Sequence, residues 1–335
     1  MSTLKLSNTK VQSTTYEAAS SKFSAVQLGY YDDPFLKYFV KKIEKRSPLI
    51  NRGYYSRVAA LRKYIELFFK SFDNAQPVQV VNIGAGLDTT FFWACEQGKN
   101  VKYYEIDFFE LLHEKTSIIK NVELLKKFLK YDEKCKENEE GDVINCENYK
   151  MLSFDLNNSI CLENILTSHG FDFRLPTLFI CECVLIYLEV ENSDHLIKKL
   201  SEIMQNTSCI IVYEQINPST AFGKVMIDNF SQRGIKLKSI YKYNNLDLQL
   251  KRFKTLGWLN VYINDMNEIY DYHISTEERK MVEKLEMFDE FEEWKLLQNH
   301  YFILVAFNCH NNLNLNELND FLKVKKKRKE EAYIK

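Results

Sequence analysis

The chain has 335 residues, 45% of them apolar and 14% aromatic, enough for one large domain or two small ones. Its formal net charge of −1 gives no electrostatic case for a nucleic-acid or polyanion partner. The polar first twenty residues do not read as a secretory signal, and no apolar run reaches the ~18 residues of a membrane span.

Residues 1–25 read as an extension with a short helix. An amphipathic segment follows over 35–43, closed by Ser47-Pro48. Over 54–72, Val58, Leu61, Ile65, Phe68 and Phe69 recur near helical spacing. The pattern then predicts strand 78–83, helix 89–97, strand 101–106 and helix 109–129. Residues 130–148 are charged and poor in apolar side chains, which predicts a surface insertion or mobile loop. Beyond it come strand 149–154, helix 160–169, a segment from Pro176 to Leu188 that opens with an apolar strand, helix 193–204 and strand 208–214. Helices over 221–231 and 246–256, strand 258–264, a long helix over 276–297 and strand 301–308 complete the series. Alternation of this kind predicts a three-layer α/β domain. The basic run at 324–329 admits two readings, a solvated helix end or a nuclear-import address. Cys181, Cys183 and Cys209 sit in strand-like runs, as reduced buried thiols do. Cys181-Glu-Cys183 lacks a following Cys/His pair at ligand spacing, so no metal site is expected.

The first strand stops at Gly84-Ala85-Gly86 and turns into a helix. Without Cβ atoms, such a turn lets a ligand lie against backbone N–H groups. The second strand ends in Asp107, where an acid accepts hydrogen bonds from ribose hydroxyls. Asp88, Asp155 and Glu182 also fall at or just past strand ends, so four acids share one sheet edge; Asp155 doubles as an N-cap candidate. Negative charge there suits a cationic, ribose-bearing cofactor such as S-adenosylmethionine better than a pyrophosphate. Thr89 replaces the third glycine of a dinucleotide loop, which counts against a dehydrogenase. Upstream, Asn51-Arg-Gly-Tyr-Tyr-Ser-Arg57 offers Arg52 and Arg57 either as structural arginines or, for Arg57, as a bidentate carboxylate clamp.

Four blocks are similar to the leucine carboxyl methyltransferases, which esterify the C-terminal leucine of the protein phosphatase 2A catalytic subunit. They are Gly29-Tyr-Tyr-Asp-Asp-Pro-Phe35, Asn51-Arg-Gly-Tyr-Tyr-Ser-Arg-Val58, Val81-Asn-Ile-Gly-Ala-Gly-Leu-Asp-Thr-Thr-Phe91 and Leu178-Phe-Ile-Cys-Glu-Cys-Val-Leu-Ile-Tyr187. Tyr104-Glu-Ile-Asp-Phe108, Phe154-Asp-Leu156 and Tyr213-Glu-Gln-Ile-Asn217 followed by Phe222-Gly-Lys-Val-Met226 support them, and the likeness runs over about residues 20–310. The resemblance implies a Rossmann-like class I S-adenosylmethionine-dependent methyltransferase fold. Its sheet is mostly parallel and seven-stranded, with helices on both faces and an N-terminal helical extension. The divisions expected are a helical extension or lid over 1–75, the methyltransferase domain over 76–310 and a charged tail over 311–335.

By the same resemblance, Lys22, Arg57, Gly84, Asp107, Asp155, Leu156 and Glu182 contact S-adenosylmethionine. Arg57 and Tyr187 are the candidate catalytic residues; Tyr187 reads equally as a core aromatic with a solvent-facing tip. The implied partner is the phosphatase catalytic subunit, met by a cytoplasmic monomer, with a nuclear location left open by the basic run. A carboxylate is already ionised at pH 7, so transfer to it needs alignment and no general base. Two other classes compete: a related enzyme acting on a small molecule or a wybutosine-type tRNA base, and a non-catalytic cofactor-binding protein.

Overall fold

β1 (Val78–Ile83) and β5 (Ser208–Gln215) are buried at every position, as strands covered on both faces must be. In the computed structural model, which describes residues 3–73, 76–130, 143–157, 162–309 and 315–323, they belong to one seven-stranded sheet. Its other members are β2 (Val101–Asp107), β3 (Tyr149–Ser153), β4 (Thr177–Glu182), β6 (Asn260–Asp265) and β7 (Tyr301–Asn308), in the order β3-β2-β1-β4-β5-β7-β6. The first five run parallel, and β7 pairs antiparallel with both β5 and β6. The expected α/β methyltransferase fold is the fold observed.

The helices, in chain order, are α1 (Thr3–Gln27), α2 (Pro48–Lys70), α3 (Thr90–Glu96), α4 (Phe109–Asn121), α5 (Glu123–Lys126), α6 (Leu162–Ser168), α7 (Val190–Ile203), α8 (Ala221–Gln232), α9 (Leu246–Thr255), α10 (Met266–Tyr272), α11 (Thr276–Val282), α12 (Phe291–Gln298) and α13 (Asn316–Leu322). Strand side chains alternate between faces, so each strand feeds two cores. Val80, Tyr103, Ile211 and Val305 join Leu61, Phe68 and Phe92 of α2 and α3 on one side. Val81, Tyr104, Val212 and Leu304 join Leu166, Leu196 and Phe253 of α6, α7 and α9 on the other.

Four segments depart from the sequence-based expectation, each for a physical reason. The extension is one 25-residue helix and not a short one. Its buried face holds Ala19, Ser20, Ser21, Ser24 and Ala25, small residues that let α1 pack on α2 without an apolar stripe to betray it. The helix expected over 109–129 is interrupted at Val122, whose backbone is extended. The long helix expected over 276–297 is two helices. Between them Phe288 lies under the Arg52 guanidinium at 3.8 Å, and Glu286 accepts from Asn51 Nδ2 (3.0 Å) and the Tyr30 hydroxyl (3.1 Å). Contacts with α2 replace helix continuity there. Finally, the end of the charged 130–148 segment is no loose loop. Val143, Ile144 and Cys146 are buried, and Cys146 N and Ile144 O bond to Tyr149 O and Met151 N, both at 2.8 Å. The rest of that segment, 131–142, and the basic run at 324–329 lie outside the described residues.

Candidate active site

The C-terminal ends of the parallel strands meet α1 across a cavity of about 640 Å³. At its floor the chain leaves β1 through Gly84 and Gly86, both with positive φ (69° and 49°). Gly84 N donates to Ile106 O at 2.7 Å, which clips the turn to β2. A Cβ on Gly84 would stand 2.4 Å from Val184 Cγ2, and one on Gly86 2.8 Å from Thr15 Cγ2 of α1. Both positions therefore need glycine, for conformation and for space.

Every residue expected to serve the site lines this one cavity: Lys22, Arg57, Gly84, Asp107, Asp155, Leu156, Glu182 and Tyr187. Asp107 accepts from Gly86 N and Phe108 N, each at 2.7 Å, and burial raises its pKa against those two bonds. Asp155 accepts from the backbone N–H of Asn157 at 3.0 Å and from its side chain at 2.9 Å, a local turn that fixes the carboxylate at the rim. Tyr187 ends a 3-10 turn (Leu185–Tyr187); burial raises its pKa, and its hydroxyl meets Thr14 of α1.

The charge of the site differs from the expected acidic edge. Lys22 Nζ sits 3.0 Å from Glu182 Oε1 and 3.5 Å from Asp88 Oδ2, and Arg57 Nε donates to Glu182 Oε1. Two of the four acids are thus neutralised by two cations from the N-terminal helices. Burial alone would raise the Glu182 pKa, but Arg57 and Lys22 outweigh it and hold the group below its usual value. Asp88 is held down in the same way, against burial, by Lys22 and Lys115. The counter-effect raises the Lys22 and Arg57 pKa values against burial, through Glu182 and Asp88 together at Lys22 and through Glu182 with Cys183 and Tyr213 at Arg57.

Several lining residues were not singled out from sequence. Tyr54, Tyr213 and Tyr301 form an aromatic wall: the Arg57 guanidinium lies 4.3 Å over the Tyr213 ring, which stacks on Tyr301 at 5.4 Å and 15°. Gln215 and the α8 residues Phe222, Val225 and Met226 extend that wall. Tyr213 and Gln215 belong to a block that supports the family likeness, but their alternation on a strand end is also that of ordinary core residues and gives neither a role in the site. Beneath the glycine turn, Lys115 Nζ donates to Asp88 O (2.6 Å) and Glu105 Oε2 (2.7 Å) with both side chains fully buried. Among the described residues, no cluster of three or more His, Cys, Asp and Glu is placed to hold a metal ion. No helix there is long and apolar enough to cross a membrane.

The family model for leucine carboxyl methyltransferase matches residues 10–201. The chain belongs to the leucine carboxyl methyltransferase family. It is 38% identical over 299 residues to a leucine carboxyl methyltransferase 1 homolog of Arabidopsis thaliana, covering 89% of each chain. It is 32% identical to the Bos taurus leucine carboxyl methyltransferase 1, over 92% of each. A human tRNA wybutosine-synthesizing protein 4 is 35% identical over 88% of this chain, which spans only 44% of that longer protein. In fold the chain is similar to a candidate methyltransferase of Thermobifida fusca YX, with a TM-score of 0.51 at 9% identity, covering 87% of this chain and 94% of that one. The enzyme class is methyltransferase, and the cofactor of this family and fold is S-adenosylmethionine.

Proposed function

We propose that this enzyme methylates the α-carboxylate of the C-terminal leucine of the protein phosphatase 2A catalytic subunit. The observation that carries the reading is the mixed-charge quartet of Lys22, Arg57, Asp88 and Glu182 on the cavity wall. Opposite charges side by side suit the zwitterionic end of an amino-acid-bearing cofactor. Arg57 spends only Nε on Glu182; among the described residues neither of its Nη groups has an acceptor, so its fork remains for a carboxylate. Asp107 has lone pairs beyond the two that take backbone N–H groups, and so fits ribose hydroxyls. The residues present fit S-adenosylmethionine.

When bound, S-adenosylmethionine supplies an electrophilic methyl group whose sulfonium leaves as a neutral thioether. The acceptor carboxylate forms the new O–C bond as it stands, so no residue has to take a proton. The protein's work is alignment and exclusion of water. α1 crosses the cavity with Thr15 against Gly86 and Tyr16 bonded to Glu114 of α4 at 2.6 Å, while Glu17 pairs with Arg233 beside α8 at 2.5 Å. That strap covers the site from both sides of the sheet edge. The stacked Tyr213 and Tyr301 give Arg57 a fixed plane.

The test is labelled methyl transfer to the phosphatase catalytic subunit ending in leucine or in its C-terminal amide. The acid form should take label that mild alkali releases as methanol, at a rate nearly constant from about pH 6 to 8. Label on the amide, or label stable to alkali, would refute the ester. A second reading, methylation of a modified tRNA base, is favoured by the wybutosine-type relative alone; labelling of tRNA and not of the phosphatase would select it.

A further inference from the structure

Gln215, the last residue of β5, carries an unmet demand. It is 3% exposed and lines the cavity, yet its Oε1 has no hydrogen-bond partner. Its side chain lies beside the Tyr301 hydroxyl, and no donor among the described residues reaches the amide oxygen. A buried acceptor without a donor costs free energy, and one that faces a binding cavity asks for a ligand donor.

The position of Gln215 says which part of a ligand meets it. Along the sheet, Asp107 is on β2, Glu182 on β4 and Gln215 on β5, and β5 lies three strands from β2. Strands are about 4.8 Å apart, so Gln215 stands about 14 Å from the residues that suit the ribose. It shares the face of Tyr213, two residues back, on which the Arg57 guanidinium stacks. Beyond it come the apolar α8 side chains Phe222 and Met226. This is the acceptor side of the cavity.

We propose that Gln215 Oε1 accepts the peptide N–H of the acceptor's terminal residue, and so selects a peptide carboxylate over other carboxylates. The inference rests on the protein-acceptor reading above. In a peptide that N–H is two bonds from the carboxyl carbon, about 2.5 Å away, so a carboxylate seated on this side of the cavity carries the donor within reach of the end of β5. Gln215 is then a specificity-determining residue whose oxygen is satisfied only when an amide acceptor is seated.

The experiment replaces one atom of the acceptor. Phosphatase catalytic subunit is prepared by ligation with its terminal leucine joined through the normal amide or through an ester oxygen that lacks the N–H. Wild-type enzyme should prefer the amide by at least about tenfold in kcat/KM, because the ester strands Oε1. Gln215→Met, similar in shape but without the acceptor, should fall on the amide substrate to the ester's level and show no preference. Gln215→Glu, which keeps an oxygen at that reach, should keep the preference. Cofactor titration and melting report whether each variant is intact. Equal rates on amide and ester by the wild-type enzyme would overturn the role of Gln215 while leaving the acceptor reading standing. Labelling of neither phosphatase form, with label on tRNA instead, would overturn both.

Discussion

Two buried ionic clusters lie within one turn of each other, and they behave differently. Lys115 and Glu105 form a single pair under the glycine turn, shut off from solvent. One cation there does not offset burial, and the Glu105 pKa is pushed up to about 7. The second cluster, on the cavity wall, sets Lys22 and Arg57 against Asp88 and Glu182. Arg57 and Lys22 overcome burial at Glu182, and Lys22 does so at Asp88 with help from Lys115, so both acids are held below their ordinary values. The clusters are linked, since Lys115 Nζ also bonds Asp88 O and so positions the turn that carries the second cluster's acid. A closed pair with one spare bond to the backbone is built to hold a loop. A balanced quartet with an unspent guanidinium fork is built to meet a ligand.

Removing the cation of the closed pair should have the largest effect. Lys115→Met leaves Glu105 and the Asp88 carbonyl buried without their donor, which costs about 1–3 kcal/mol for each group by denaturant titration at pH 7. Lys115→Met with Glu105→Leu should recover the Glu105 share of that loss, since replacing both partners by apolar groups is nearly neutral. Cofactor affinity should stay low in the double variant, because the Asp88 carbonyl has lost its donor. Recovery of affinity along with stability would show that the pair does not position the turn.

The quartet should invert that balance. Glu182→Gln removes the acid shared by Lys22 and Arg57, so cofactor affinity should fall about tenfold or more while stability drops by only about 1–2 kcal/mol. Asp88 and the cavity remain to take Lys22. A stability loss as large as that of Lys115→Met would make the quartet structural. Arg57→Lys should be milder for the fold and still lower kcat/KM at least about tenfold, because lysine keeps the charge and loses the fork. Unchanged kinetics in that variant would remove Arg57 from the carboxylate-binding set.

Much of this arrangement was legible in the residue order. β1, β2, β4 and β5 announce themselves as apolar runs, and the acids at their ends share one edge because parallel strands end together. Gly84 and Gly86 were readable as a turn without Cβ atoms, though the neighbours that enforce it, Val184 and Thr15, come from elsewhere in the chain. What stayed hidden is long-range. Nothing local says that Lys22 crosses 160 residues to Glu182, so the edge looked more acidic than it is. The length of α1 was hidden because its buried face is serine and alanine. The break before α12 was hidden because Arg52 and Asn51, far upstream, cause it.

The smallest expected effect is the sharpest test of how the clusters differ, because they predict opposite slopes of stability with pH. Asp88 and Glu182 have folded pKa values below their ordinary ones of 3.8 and 4.5. Their contribution is complete above those values and is lost as pH falls through the folded pKa. Glu105 is the reverse: its folded pKa of about 7 exceeds the ordinary 4.5. Its contribution is greatest below 4.5 and declines as pH rises toward 7, because the unfolded chain gives up the proton first. Between those limits the wild-type protein should therefore carry a downward stability slope from this one group. Glu105→Gln, which cannot ionise, should flatten it and leave the acid limb below pH 4 in place. Denaturant titrations at half-unit steps from pH 4 to 8 would resolve the difference. A Glu105→Gln profile parallel to wild type throughout would mean that Lys115 holds Glu105 ionised after all, and that the closed pair is as well balanced as the quartet.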